Sequence, residues 1–203
     1  MKIGEFILAF LALLCASIMG ACSLIFPQEQ KPKAVYYETT LEFYVNPIRE
    51  GDGQSQYEVY GAYGRHVMDN MVKLLSSENF AEVLMEHVEG SPARYDENGE
   101  RTEDFQRWLE SEEGKKWNAD MQCISYSYVK DGVVDQENEN PNRIYATISI
   151  PKERGKETAE KILEILPQTL IDYVEKHMVL LNGYIGTKCT LLTQSYTINE
   201  IEK

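Results

Sequence analysis

Along its hydrophobic and polar positions, the chain opens with an uninterrupted apolar stretch, Phe6 to Phe26, without one charged residue. At 1.5 Å per residue, such a run makes about 30 Å of helix, the thickness of a bilayer core. It exceeds the ~7–15 apolar residues of a secretory signal, and Lys2 beside Glu5 gives it no clearly basic start. A retained transmembrane helix over 6–26 is therefore predicted. A cytoplasmic stub over 1–5 precedes it, and a polar spacer over 27–35, carrying Pro27 and Pro32, follows.

From residue 36 the period changes to two. Thr39, Leu41, Phe43 and Val45 alternate with Glu38, Thr40, Glu42 and Tyr44, which predicts a strand over 36–45. Between Ser55 and Val88 the period is helical, with Val67, Met71, Leu74 and Leu75 on one stripe and Phe80, Val83, Leu84 and Val88 continuing it. Ser76-Ser77, followed by acidic Glu78, marks an N-cap between two helices, and Gly90 and Pro92 stop the second. Asn98-Gly99 predicts a turn, and Thr102-Glu103-Asp104 opens a third helix bearing Phe105, Trp108 and Leu109. Strands are predicted over 121–129 and 143–150, flanking a solvated loop over 131–142. Ala159, Ile162, Leu163, Leu166, Leu170, Val174 and Met178 define the longest helix, Lys156 to Met178, with Pro167 expected to kink or break it. A last strand over 187–198 and a short polar tail complete an α+β domain over 36–203, with helices covering a roughly four-stranded sheet.

A net charge of −13 argues against nucleic acid or anionic lipid headgroups as partners. Four cysteines, of which Cys15 and Cys22 lie in the apolar stretch, exclude a disulfide-dense scaffold and a four-cysteine zinc ribbon. Cys123 and Cys189 fall on two predicted strands, where they either pair as a disulfide in an extracytoplasmic domain or stay as two buried thiols. No His-Glu-x-x-His, glycine-rich phosphate loop or Gly-x-Ser-x-Gly occurs. His66, His87 and His177 are separate, each at the surface of a predicted helix. Asp96-Glu97-Asn98-Gly99 has its glycine at the fourth position rather than the sixth that a calcium loop needs. The ten acids against three arginines between Glu86 and Glu113 read as a solvated face. No catalytic, cofactor-binding or metal-ligating residue is assigned, and enzyme activity is not expected.

Two features of the apolar stretch bear on assembly and tethering. Ala12, Ala16 and Gly20 are four apart and share one helix face, where small side chains let a second membrane helix approach closely. Met19-Gly20-Ala21-Cys22 resembles the processing box of bacterial lipoproteins, in which Cys22 would be lipidated and become the N-terminus. Lys31 and Lys33 follow the span, so flanking charge does not fix orientation. The short stub favours the domain outside.

Membrane helix, spacer and Tyr36-Tyr37-Glu38-Thr39-Thr40-Leu41-Glu42-Phe43-Tyr44-Val45 are together similar to the opening of Wzz-type chain-length determinants. These are the polysaccharide co-polymerases of bacterial capsule, exopolysaccharide and O-antigen synthesis. Leu74 to Leu84 resembles their helix with a serine between two apolar clusters, and Ile144 to Ile150 followed by Thr158 to Leu163 resembles their strand-then-helix segment. The resemblance implies a non-enzymatic protein of the inner membrane whose domain self-associates and sets how far a polymerase extends a glycan. Its implied partners are further copies of itself and the polymerase and export machinery.

The chain departs from the family pattern in two ways. Gly155-Lys156 stands where the family often has Asp-Pro, and Glu164 where it has an asparagine. Family members also carry a second membrane helix, in some followed by a tail that engages a tyrosine kinase, and nothing between Thr187 and Lys203 could span a bilayer. The resemblance therefore implies a truncated or single-pass member, with kinase engagement in doubt.

Overall fold

In the computed structural model, residues 33–49, 61–128, 143–177 and 184–203 are described. The alternation of the first strand is realised over its whole length. β1 (Val35–Arg49) is the spine of an antiparallel sheet, and Thr39, Leu41, Phe43 and Val45 are buried on one face. β3 (Arg143–Pro151) pairs with it from Tyr36↔Pro151 to Tyr44↔Arg143, and buries Ile144, Ala146, Ile148 and Ile150 on the same side. β2 (Ile124–Ser127) pairs with β3 at the outer edge. On the other side of β1, β4 (Tyr184–Leu191) pairs with its second half and β5 (Asn199–Glu202) with its first four residues.

Among the described residues the sheet thus has five strands rather than the roughly four expected from the sequence. The predicted strand over 187–198 ends at Leu191 and the expected polar tail is itself a strand. The break has a local cause. The Glu42 amide donates to the Thr193 hydroxyl at 2.8 Å, so a side chain replaces the carbonyl that a continuing strand would present.

Among the described residues, five helices supply the second layer: α1 (Gly61–Leu75), α2 (Glu78–Glu86), α3 (Glu103–Glu110), α4 (Glu112–Met121) and α5 (Lys156–His177). Each of the three middle helices starts on a side-chain cap. Ser77, Thr102 and Ser111 accept from the amides of Phe80, Phe105 and Gly114, with acids in the first turn behind each cap. The helices and the inner sheet face share one core, in which Phe80 lies 4.6 Å from the Tyr173 ring and 5.8 Å from that of Tyr126. α5 is the main cover. It runs unbroken through Pro167, burying Ile162, Leu163, Leu166, Leu170 and Val174, so of the kink or break expected there the break does not occur. Packing of that stripe outweighs the one backbone bond that proline removes.

The outer sheet face is polar. Thr40 and Thr147 exchange a hydroxyl hydrogen bond of 2.9 Å, and Glu42–Arg143 and Glu38–Lys203 pair across strands. The predicted transmembrane span and its small-residue face, Ala12, Ala16 and Gly20, lie outside the described residues, as do Cys22 and the predicted loop over 131–142. Among the described residues no helix is long and apolar enough to cross a membrane.

Candidate functional site

The sequence gives no periodic signal for α4, and α4 builds one wall of a concavity lined by charges of both signs and an indole. Over Glu112–Met121 only Trp117 and Met121 are large apolar residues, too few to show a helical stripe. The available cue is Ser111 followed by Glu112-Glu113, an N-cap with an acidic first turn. Gly114 lets α4 turn tightly against α3, because a Cβ there would run into the Trp108 carbonyl. Glu113, Lys116, Trp117 and Asp120 then fall at steps of three and four, on one helix face.

That face looks across a cleft of about 490 Å³ to the start of α5. Arg154 ends a short 3-10 turn, Lys152–Arg154, and Gly155 follows with φ 86° and ψ 150°, a conformation open to glycine almost alone. Gly155 therefore sets the angle at which α5 leaves. Lys156, Thr158 and Lys161 line the α5 side, and the positive end of a long helix dipole lies there as well. Glu113, Trp117 and Lys161 also line an adjoining cleft of about 390 Å³ with Glu89, Glu164 and His87. The two clefts share Glu113, Trp117 and Lys161, and Glu157 lines the first beside its lysines, so charges of both signs are mixed along this groove.

Asp120 forms part of the groove's lining and is 1% exposed. Its Oδ1 accepts from Arg154 Nε at 2.8 Å and pairs with Nη2 at 2.7 Å, and Nη2 also donates to the Lys116 carbonyl at 2.7 Å. Its Oδ2 has no hydrogen-bond partner among the described residues. Burial pushes the Asp120 carboxyl above the usual carboxylate range, against the opposing pull of Arg154. Lys116 and Lys161 are exposed and make no ion pair among the described residues.

A second charged cluster ties the 93–102 segment to the helices. Buried Arg94 pairs with Glu82 at 3.1 Å, donates to Asn79 and lies over the Tyr95 ring. Arg101 reaches the same Glu82 at 2.7 Å, and Asn79 donates to the Tyr173 hydroxyl at 2.9 Å. The predicted Asn98-Gly99 turn is present. Gly99 has φ 78°, and Asp96 Oδ1 accepts from the Asn98 and Glu100 amides at 2.9 and 2.8 Å. Those amides, Glu100's foremost, hold the Asp96 carboxyl below its ordinary value.

Cys123 and Cys189 are both free thiols, half-buried and buried respectively, and the fold keeps them apart. Cys123 precedes β2, with its carbonyl bonded to the Ser149 amide of β3, whereas Cys189 faces Val45 from β4. Three strand spacings of about 4.8 Å separate the two edges, beyond the ~7 Å Cα limit of a disulfide. The pairing considered from the sequence is therefore not made, and the two-thiol alternative describes this structure. Burial and nearby Glu175 push the Cys189 thiol up to about 12.

The histidines are scattered: His66 lies on α1, exposed His87 caps the C-terminus of α2, and exposed His177 ends α5 with its ring 4.4 Å from that of Tyr173. Fold and groove define a class, an α+β module with helices on one face of a five-stranded antiparallel sheet. In comparisons with known proteins, no family model, curated protein or solved structure matches the chain.

Proposed function

We propose that this chain is a membrane-anchored, non-catalytic regulator of polysaccharide chain length, a co-polymerase of bacterial capsule or exopolysaccharide synthesis. It is held in the inner membrane by one helix, with its domain outside. The observation that supports this reading most directly is the position of the segment that carries the resemblance. Tyr36 to Val45 lies within β1, which pairs with β3, β4 and β5, so the stretch most similar to the family also organises the sheet. Its action is assembly: copies meet through their domains and membrane helices, and the assembly presents the growing glycan to the polymerase and export machinery.

The test is the length distribution of the cell's surface polysaccharide on a gel, with and without the gene. A shift or smear that the intact gene restores is expected; a distribution that does not move sinks the reading. Within it, Gly20→Leu is expected to weaken assembly by blocking close helix approach. An unchanged cross-linked oligomer ladder would remove Ala12, Ala16 and Gly20 from the account.

The groove between α4 and α5 favours one second reading, an envelope lipoprotein-type binding module tethered through Cys22. The N-terminal mass separates the two, because lipidation at Cys22 removes Met1 to Ala21.

A further inference from the structure

Asn98-Gly99 is the one Asn-Gly step among the described residues, and it stands at the tip of a small hairpin. Such a step is the most labile that an asparagine can form. The backbone nitrogen after the asparagine can attack its side-chain carbonyl, and glycine, having no side chain, leaves that nitrogen open. Residues 95 to 101 are exposed throughout, and beyond the chain neighbours no heavy atom lies within 4 Å of the point where a Gly99 Cβ would stand.

One residue closes the tip. The Asp96 amide donates to the Glu100 carbonyl at 2.9 Å, and the Asp96 carbonyl accepts from the Gly99 amide at 3.0 Å. Asp96 Oδ1 accepts from the Asn98 and Glu100 amides at 2.9 and 2.8 Å. Behind them lies a single bridge, Tyr95↔Arg101. No buried apolar side chain anchors residues 95 to 101. Opening this tip therefore costs far less than unfolding the domain.

The nitrogen that must attack is the one whose proton Asp96 holds. While the Gly99 N–H donates to the Asp96 carbonyl, the nitrogen keeps its proton and the turn is inert. Once the tip opens, Gly99 N loses its proton and bonds to Asn98 Cγ, and the Cγ–Nδ2 bond breaks. Nδ2 leaves as ammonia, carrying the proton that Gly99 gave up. The cyclic imide then takes up a water molecule at either carbonyl, giving aspartate or isoaspartate.

We propose that Asn98 is a self-modification site of the folded protein, latched by Asp96 and converted to aspartate and isoaspartate when the hairpin tip opens. The product places a new carboxylate among Asp96, Glu97 and Glu100, and isoaspartate also lengthens the turn's backbone. Both changes loosen the segment that Arg94 and Arg101 tie to Glu82. The inference stands independently of the chain's reading as a polysaccharide regulator.

The test is an incubation of the full-length chain in detergent, in mildly alkaline buffer, sampled over weeks and followed by peptide mapping with mass spectrometry. Mapping separates Asn98 from Asn182, which also precedes a glycine, and aspartate from isoaspartate. The same chain in urea gives the rate of the open tip. Asn98 is expected to convert in the native protein, with isoaspartate among the products, about tenfold more slowly than in urea. Asp96→Ala alters an exposed side chain and is expected to speed the native reaction about threefold while leaving the rate in urea unchanged. Asp96→Asn keeps an acceptor oxygen and is expected to convert Asn98 at close to the wild-type rate. Native conversion as fast as in urea overturns the latch, as does an Asp96→Ala rate no higher than the wild type's. An Asn98 that stays intact in the native protein while the urea sample converts fully overturns the site.

Discussion

Arg94 and Asp120 are buried to nearly the same degree, 4% and 1% exposed, and each keeps one polar atom without a partner among the described residues, Nε in one case and Oδ2 in the other. Their surroundings differ. Arg94 is held by Asn79, Glu82 and the Tyr95 ring, under a segment whose ends are joined by the Thr102 amide donating to the Arg94 carbonyl at 3.1 Å. Asp120 is held from one side only, by Arg154, and lines an open cleft. A charge enclosed on all sides fastens elements together, whereas a charge fastened on one side is a fixed group with spare bonding capacity. The first arrangement is a clasp and the second is a single tether between α4 and the turn before α5.

The comparison can be broken most forcefully at Arg94. Arg94→Leu is expected to cost about 3 kcal/mol, the low end for breaking a buried pair, because Glu82 retains Arg101. Urea denaturation checks this, and a loss under 1 kcal/mol would show that the clasp holds little. Thr102→Ala removes the cap of α3 and the bond to the Ala93 carbonyl beside Arg94, with an expected loss of about 1 kcal/mol by the same measurement.

Asp120→Asn is expected to change stability by less than about 1 kcal/mol at neutral pH, since a costly buried charge and its salt bridge leave together. Its pH signature is more telling. Burial raises the Asp120 carboxyl above its unfolded value of 3.8, so the folded state holds the proton more tightly. The wild type should therefore gain stability relative to Asp120→Asn as pH falls through the raised value, with the gain complete below 3.8. A gap that widens the other way would mean that Arg154 dominates the site. Asp96 gives the opposite and smallest effect. Its lowered carboxyl stabilises above 3.8, and that contribution is lost as pH falls through the depressed value, so Asp96→Ala should flatten the acid limb of the stability curve.

The elements with a strong period were legible in the sequence. The alternation of Thr39 to Val45 and of Ile144 to Ile150 marks two adjacent strands, and Ser77 and Thr102 are caps where their acidic neighbours place them. What escaped was decided by contacts that pattern does not encode. Pro167 does not break α5 because the buried stripe continues on both sides of it. The last four-residue strand exists because β1 offers it free amides and carbonyls, a tertiary fact invisible in Asn199-Glu200-Ile201-Glu202 itself. The groove was missed for a related reason: Asp120 and Arg154 are far apart in sequence, α4 has no apolar stripe, and neither residue belongs to a recognisable motif. Cys123 and Cys189 show the reverse error, since both sit near strands but at opposite edges of the sheet.

The pairing of β5 with the beginning of β1 has a mechanical consequence. The Lys203 amide donates to the Ala34 carbonyl at 2.9 Å, directly before β1 begins. A pull transmitted along the spacer into β1 would load the ladders on both of its sides at once, in shear, instead of peeling one strand from an edge. Shear shares the load over many bonds, and the short β5 ladder becomes the first rivet in the line of force. Such a pull would thus be met first where β5 and Lys203 hold the start of β1.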